Sequence, residues 1–285
     1  MNFVCLSAAY NRCAFFILFF LPLHTLFCEN RFFFTPSDIL TGKNGAISDE
    51  VWGLHLNPAG DSFVQSSIVG AGHYLDFFVE DYTSNTMFFK TPLNPGVVSF
   101  GLTQSGVNAF KSEQLSLSFS RRLSQGFRGG VRFNYSRRQQ MGVTISSLIT
   151  LDAGFQVNPG DLACVGFYII NSARSSWDYD MGESDSGPFI MGGSIRYELP
   201  GEVFLESGVS STEESPFSFS FSVEASLYNS LKVNAGISHN PLLYGVGTSF
   251  LWRGLLFDNA ISYHTVLGFS SSFGVVCYIS DFDLF

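Results

Sequence analysis

Charge is scarce in this chain. Asp, Glu, Lys and Arg together make up 14% of its 285 residues, against about a quarter in ordinary water-soluble domains. Too few charged side chains are present to cover a soluble exterior of this size. Basic residues are scarcer still, with 15 Lys and Arg against 24 Asp and Glu and a formal net charge of -9. Nucleic acid is therefore excluded as a partner. Cysteine is sparse: of five, Cys5, Cys13 and Cys28 fall in the first 28 residues. That leaves Cys164 and Cys277, with no metal-ligand spacing. Both are read as small apolar residues facing outward from strands rather than as a disulfide. After residue 28 no apolar run approaches the roughly 18 residues of a membrane-spanning helix. Phosphate-binding glycine loops, zinc patterns and Gly-x-Ser-x-Gly elbows are missing, so no cofactor is expected. The acidic stretch Asp178 to Asp185 lacks the Asp-x-Asp-x-Asp-Gly spacing of a calcium loop and reads as solvated.

What is plentiful is phenylalanine, 32 residues of it. Residues 1–28 have the form of a secretory signal. Arg12 is their only charge, Ala14 to Leu21 is an unbroken apolar run, and small or polar residues stand near Cys28-Glu29. Beyond Asp61 a period-two pattern dominates. It is plainest from Pro216 to Ser238, where Phe217, Phe219, Phe221, Val223 and Ala225 alternate with Ser218, Ser220, Ser222, Glu224 and Ser226. Asn229-Ser230 then turns the chain into a second alternating run. Successive side chains of a strand point to opposite faces, so one face is apolar and the other polar. The pattern recurs from Ser62 to Asp281 and predicts about fourteen strands. Ser62–Gly70 and His73–Glu80 read as two strands or one bent one, and Thr86–Thr91 as a weak one.

Such a set of strands is expected to close into an all-β, antiparallel, up-and-down transmembrane barrel. In lipid every unpaired backbone group costs several kcal/mol, so the sheet leaves no edge. Charges in the clear strands, namely Arg132, Asp152, Arg196, Glu198, Glu206, Glu224 and Lys232, share the polar parity and are expected to line the lumen. Tyr74, Tyr135, Tyr197, Tyr244, Trp252 and Tyr263 lie near strand ends as candidate interfacial girdles. Short turns such as Pro200-Gly201 and Arg253-Gly254 alternate with connections read as longer, Gln139–Ser147 and Ser172–Pro188. The division expected is a signal at 1–28, an N-terminal segment at 29–60 and a barrel at 61–285. Its place is the outer membrane of a diderm bacterium, with membrane lipid as its surroundings.

The segment Leu40-Thr41-Gly42-Lys43-Asn44-Gly45-Ala46-Ile47-Ser48-Asp49, followed by Leu54-His55-Leu56-Asn57-Pro58-Ala59-Gly60, resembles the N-terminal signature of PorV/PorQ-type proteins within the FadL-like outer-membrane superfamily. Tyr263 to Gly268 is similar to a late-strand sequence of such proteins. The resemblance implies a fourteen-stranded barrel with the N-terminal segment tucked into the lumen, and makes Asn57, Pro58, Ala59 and Gly60 candidates for a plug or kink. It also implies two functions: a porin or transporter for a small or hydrophobic solute, or an accessory of secretion and surface assembly that holds a protein partner. A third reading, a rim hydrolase built on His239 and His264, is the weakest, and the chain is read as not an enzyme.

Overall fold

The computed structural model describes residues 37–48, 51–107, 109–141, 143–179, 184–213 and 217–279. The signal expected at 1–28 lies outside them. The chain forms a closed, antiparallel fourteen-stranded barrel with a short N-terminal segment inside it. In chain order the strands are β1 (Ile68–Leu75), β2 (Thr83–Leu93), β3 (Gly96–Val107), β4 (Phe110–Ser124), β5 (Phe127–Gln140), β6 (Val143–Val157) and β7 (Ala163–Ile170). A loop hairpin follows, made of β8 (Ser176–Tyr179) and β9 (Ser184–Ser186). The wall then resumes with β10 (Ile190–Leu199), β11 (Val203–Thr212), β12 (Ser218–Tyr228), β13 (Leu231–His239), β14 (Leu243–Trp252), β15 (Leu255–His264) and β16 (Gly268–Tyr278). Each wall strand pairs with its neighbours, and β1 pairs with β16 from Ile68↔Tyr278 to Leu75↔Ser271, which closes the ring.

Alternation sorts the side chains as lipid requires. Phe89, Phe100, Leu117, Phe133, Leu151, Phe221, Val246 and Ile261 are exposed on the outside. Ser84, Ser99, Ser116, Ser118, Ser120, Ser222 and Ser272 are buried on the inside. Inward hydroxyls bond one another across strands, as Ser84 Oγ does to Ser105 Oγ at 2.6 Å. An exterior so continuously apolar cannot face water. Fourteen strands also enclose more space than small side chains can fill, since about eight are what side chains alone pack.

Several expectations are corrected. Ser62–Gly70 and His73–Glu80 resolve into the single strand β1, preceded by a 3-10 turn at Pro58–Phe63. Gln139–Ser147 is not a long loop: β5 and β6 stay paired out to Gln140↔Val143. These strands run 14 and 15 residues, beyond the 9–11 that cross a bilayer. Towards the tip of β5 polar residues take both parities, with Arg137 outward and Arg138 buried inward against the Trp177 ring. The short turns do share one end, with residues 94–95, 125–126, 229–230 and 253–254 among them. The opposite end carries the extended connections 76–82 and 171–189, but 240–242 and 265–267 there are tight too. Tyr74 is buried and inward rather than in a girdle, because Val69, Ala71 and His73 take the outer parity of β1. Cys164 shares the inward parity of Gly166 and Tyr168 in β7, whereas Cys277 takes the outer parity of β16; neither is in a disulfide.

Candidate functional site

The segment from Ser37 to Val64 forms a short helix (Ser37–Leu40), a run of turns and the 3-10 turn Pro58–Phe63. Leu40, Ala46, Ile47, Val51, Trp52, Leu54, Ala59 and Val64 are buried. Their surroundings are the inner wall, with contacts on it from β2 to β16. At several of these contacts the wall residue is a glycine. A Cβ at Gly245 or Gly236 would collide with the backbone of Leu40 or Thr41, at Gly166 with Ala46, at Gly130 with Pro58, and at Gly274 with the Trp52 ring. The absent side chains are the room the segment occupies.

Two asparagines hold it by one device. Asn57 Oδ1 accepts from Ala59 N at 3.0 Å, which caps the turn. Its Nδ2 donates to Phe155 O and Phe167 O, both at 3.1 Å, and to Ala46 O at 2.6 Å. Phe155 and Phe167 are register partners on β6 and β7. Asn44 repeats the arrangement. Its Oδ1 accepts from Ala46 N at 3.0 Å, and its Nδ2 donates to Gly193 O at 2.8 Å and Val209 O at 3.1 Å. Gly193 and Val209 are register partners on β10 and β11. Each amide therefore clips one turn of the segment to a pair of strands, and each lies against a glycine, Gly154 or Gly208. Only a short side chain carrying both donor and acceptor can do this.

Ionic contacts complete the attachment. Asp61 Oδ1 accepts from Lys90 Nζ of β2 at 2.6 Å, and its Oδ2 from Ser99 Oγ and Ser118 Oγ at 2.7 Å each. Both partners of the ion pair have 0% side-chain exposure. Lys43 Nζ lies between Asp38 at 2.7 Å and Glu224 at 2.6 Å. Asp258 of β15 accepts from Ser37 Oγ at 2.5 Å and Trp52 Nε1 at 2.6 Å on one oxygen, and from Ser249 Oγ at 2.9 Å on the other. Arg132 pairs with Asp152 at 2.7 Å and donates to Leu54 O. Buried charges need such partners, because stranding one costs several kcal/mol.

His55 bonds Thr86 Oγ1 through Nε2 at 3.1 Å and meets the Phe88 ring edge-on. Enclosure by the segment and wall holds its pKa well below 6.5, with the positive charges of Arg132 and Lys90 adding to the shift. Part of the ring surface still faces the interior space.

Of the residues singled out from sequence, Asn57, Pro58, Ala59 and Gly60 are buried at the head of the 3-10 turn. Arg132, Asp152, Glu206 and Glu224 are buried and inward. Arg196 meets Glu206 at 3.0 Å, and Lys232 lies 3.6 Å from Glu224 with an exposed side chain. Glu198 is half-buried towards the short-turn end of β10 and is not brought to the segment. Sequence reading missed Lys43, Asn44, Trp52, Asp61, Lys90 and Asp258. Lys90 and Asp258 do fall on the inner parity of their strands, which was the signal available. His264 and His239 stand on different strands: His264 Nδ1 accepts from Val266 N and Leu267 N at 3.1 Å, capping the β15–β16 turn, and His239 ends β13.

No protein-family model matches the chain, and no curated relative matches it. Solved structures do share its fold. A FadL homologue from Pseudomonas aeruginosa aligns over 86% of this chain and 97% of its own, at 11% identity and a TM-score of 0.59. The CymD monoaromatic hydrocarbon channel aligns over 85% and 95%, at 11% identity and a TM-score of 0.58. The Pseudomonas putida toluene transporter TodX aligns over 85% and 96%, at 9% identity and a TM-score of 0.57. At such identities the likeness is one of fold: this chain shares its barrel fold with these three proteins. The PorV/PorQ likeness rests on the sequence motif alone.

Proposed function

We propose that the protein is an outer-membrane channel for a small hydrophobic solute, with the segment Ser37–Val64 as its internal obstruction. In this reading residues 1–28 are a secretory signal, 29–60 supply most of the obstruction, and 61–285 form the barrel. Asn57 to Gly60 fix the bend of the segment, and Arg132, Asp152, Arg196, Glu198, Glu206, Glu224 and Lys232 give the lumen its polar lining. The observation that carries the reading is how the segment is attached. It is held through side-chain hydrogen bonds and ion pairs to strands all round the wall, without a backbone ladder of its own. An attachment of that kind releases one contact at a time. The monoaromatic hydrocarbons handled by the channels of like fold suggest the solute class. The His239/His264 hydrolase is set aside.

The test is solute uptake into liposomes carrying the barrel, with and without residues 32–60. The wild type should admit a monoaromatic hydrocarbon faster than empty liposomes, and the deletion should raise ionic conductance in planar bilayers several-fold. Unchanged conductance would remove the obstruction. No solute uptake by either form would leave the accessory role, in which the barrel holds a secretion partner.

A further inference from the structure

Across half of the barrel, the seven strands β10 to β16, an outward residue near the loop end is large and apolar. Met191, Val209, Phe219, Ile237, Tyr244, Tyr263 and Phe269 are exposed there, one on each strand from β10 to β16. Over β1 to β5 that belt is broken. Outward His73, Asn85, Gln104, Glu113 and Arg137 form one polar cross-strand line there: His73↔Asn85, Asn85↔Gln104, Gln104↔Glu113, Glu113↔Arg137. Two residues further into the wall the outward line is Ala71, Met87, Leu102, Leu115 and Tyr135, apolar throughout. Between and over these two lines lies a groove of about 770 Å3 on the barrel's exterior. The wall behind it is closed, since β1 to β5 are paired without a gap.

Within the upper line Glu113 and Arg137 cancel, but Lys111, one outward row nearer the loop end, adds a second cation. Glu113 meets Arg137 at 2.5 Å and Lys111 at 2.6 Å, so one carboxylate faces two cations. His73 Nδ1 bonds Asn85 Oδ1 at 2.8 Å. The cluster of Lys111, Glu113 and Arg137, with one net positive charge, stands at the edge of an apolar floor open to the hydrocarbon and matches one kind of molecule. We infer that this groove binds an anionic amphiphile of the surrounding leaflet, with its acyl chain along Met87, Leu102 and Leu115 and its head at Arg137, Lys111 and Gln104. A groove on a lipid-facing surface fills with lipid in any bilayer. The excess charge is what selects the headgroup. The inference requires only the membrane barrel and is independent of solute transport.

The test is native mass spectrometry of the refolded barrel in mild detergent, titrated with phosphatidylglycerol and, separately, with phosphatidylcholine of the same chains. Each form is first checked for the heat-dependent gel shift of a closed barrel. The wild type should retain one phosphatidylglycerol, at least tenfold tighter than phosphatidylcholine. Leu102→Trp, which fills the groove from outside, should weaken it at least tenfold, while Val246→Trp on the opposite wall should not. Lys111→Gln with Arg137→Gln should remove the headgroup preference. Absence of a saturable single adduct, or an adduct indifferent to Leu102→Trp, overturns the site. A single adduct without headgroup preference overturns the anionic ligand. Barrel dimers blocked by Leu102→Trp would instead give the groove to a second copy of the chain.

Discussion

Lys90 shows how much one inward side chain carries. It stands on the wall, yet its Nζ neutralises Asp61 of the luminal segment at 2.6 Å. Replacing it by Met leaves a carboxylate buried with only Ser99 and Ser118 as donors. We expect Lys90→Met to cost docking of the segment about 3–5 kcal/mol, read as faster hydrogen exchange of the amides in 37–64. Adding Asp61→Asn should recover most of that loss, because an amide oxygen still accepts from the serines and no charge is stranded. A single-mutant effect under about 1 kcal/mol would mean that water reaches the pair. In sequence, Lys90 is one lysine in a weak strand ending at Pro92, and nothing local announces Asp61 as its partner. Asn57 was singled out only through the resemblance of Leu54 to Gly60 to a family signature. The equivalent role of Asn44 was not, since it depends on which two strands the side chain meets.

As an element, the segment is polar where it grips and apolar where it fills. His55 sits between these parts, and its lowered pKa fixes the sign of a pH effect. The docked state keeps the ring neutral, while the undocked state takes a proton near 6.5. Docking is therefore at full strength above that value and weakens as pH falls below it, by up to roughly 1.4 kcal/mol per pH unit. Hydrogen exchange of 37–64, corrected for intrinsic rates, should accelerate from pH 7 to pH 5.5 in the wild type and less in His55→Gln. Equal slopes would acquit the histidine. The wall strands were legible because lipid and lumen impose opposite demands on alternate residues. Legibility failed where one demand was missing. β7 is apolar on both faces because its inner side packs against Ala46 and Ile47 of the segment, so the facing of Cys164 could not be read. The tip of β5 fails the other way, because polar Arg137, Arg138, Gln139 and Gln140 occupy both parities.

At the scale of the whole molecule, what matters is the distance along the chain between the groups that meet inside. Ser37 and Asp258 are 221 residues apart, Trp52 and Asp258 206, and Lys43 and Glu224 181. Contacts so far apart in the chain close large loops, so we expect them to form late in folding. The segment contributes little to the rate at which the barrel forms, and interactions absent from the transition state act on the reverse step. Removing residues 32–60 should leave refolding into detergent unchanged within about twofold while unfolding quickens by about tenfold or more, as followed by stopped-flow Trp fluorescence. Equal slowing of refolding would place the segment in the folding nucleus. The glycine-lined wall thus has a temporal meaning: the segment it receives sets how long a finished barrel lasts.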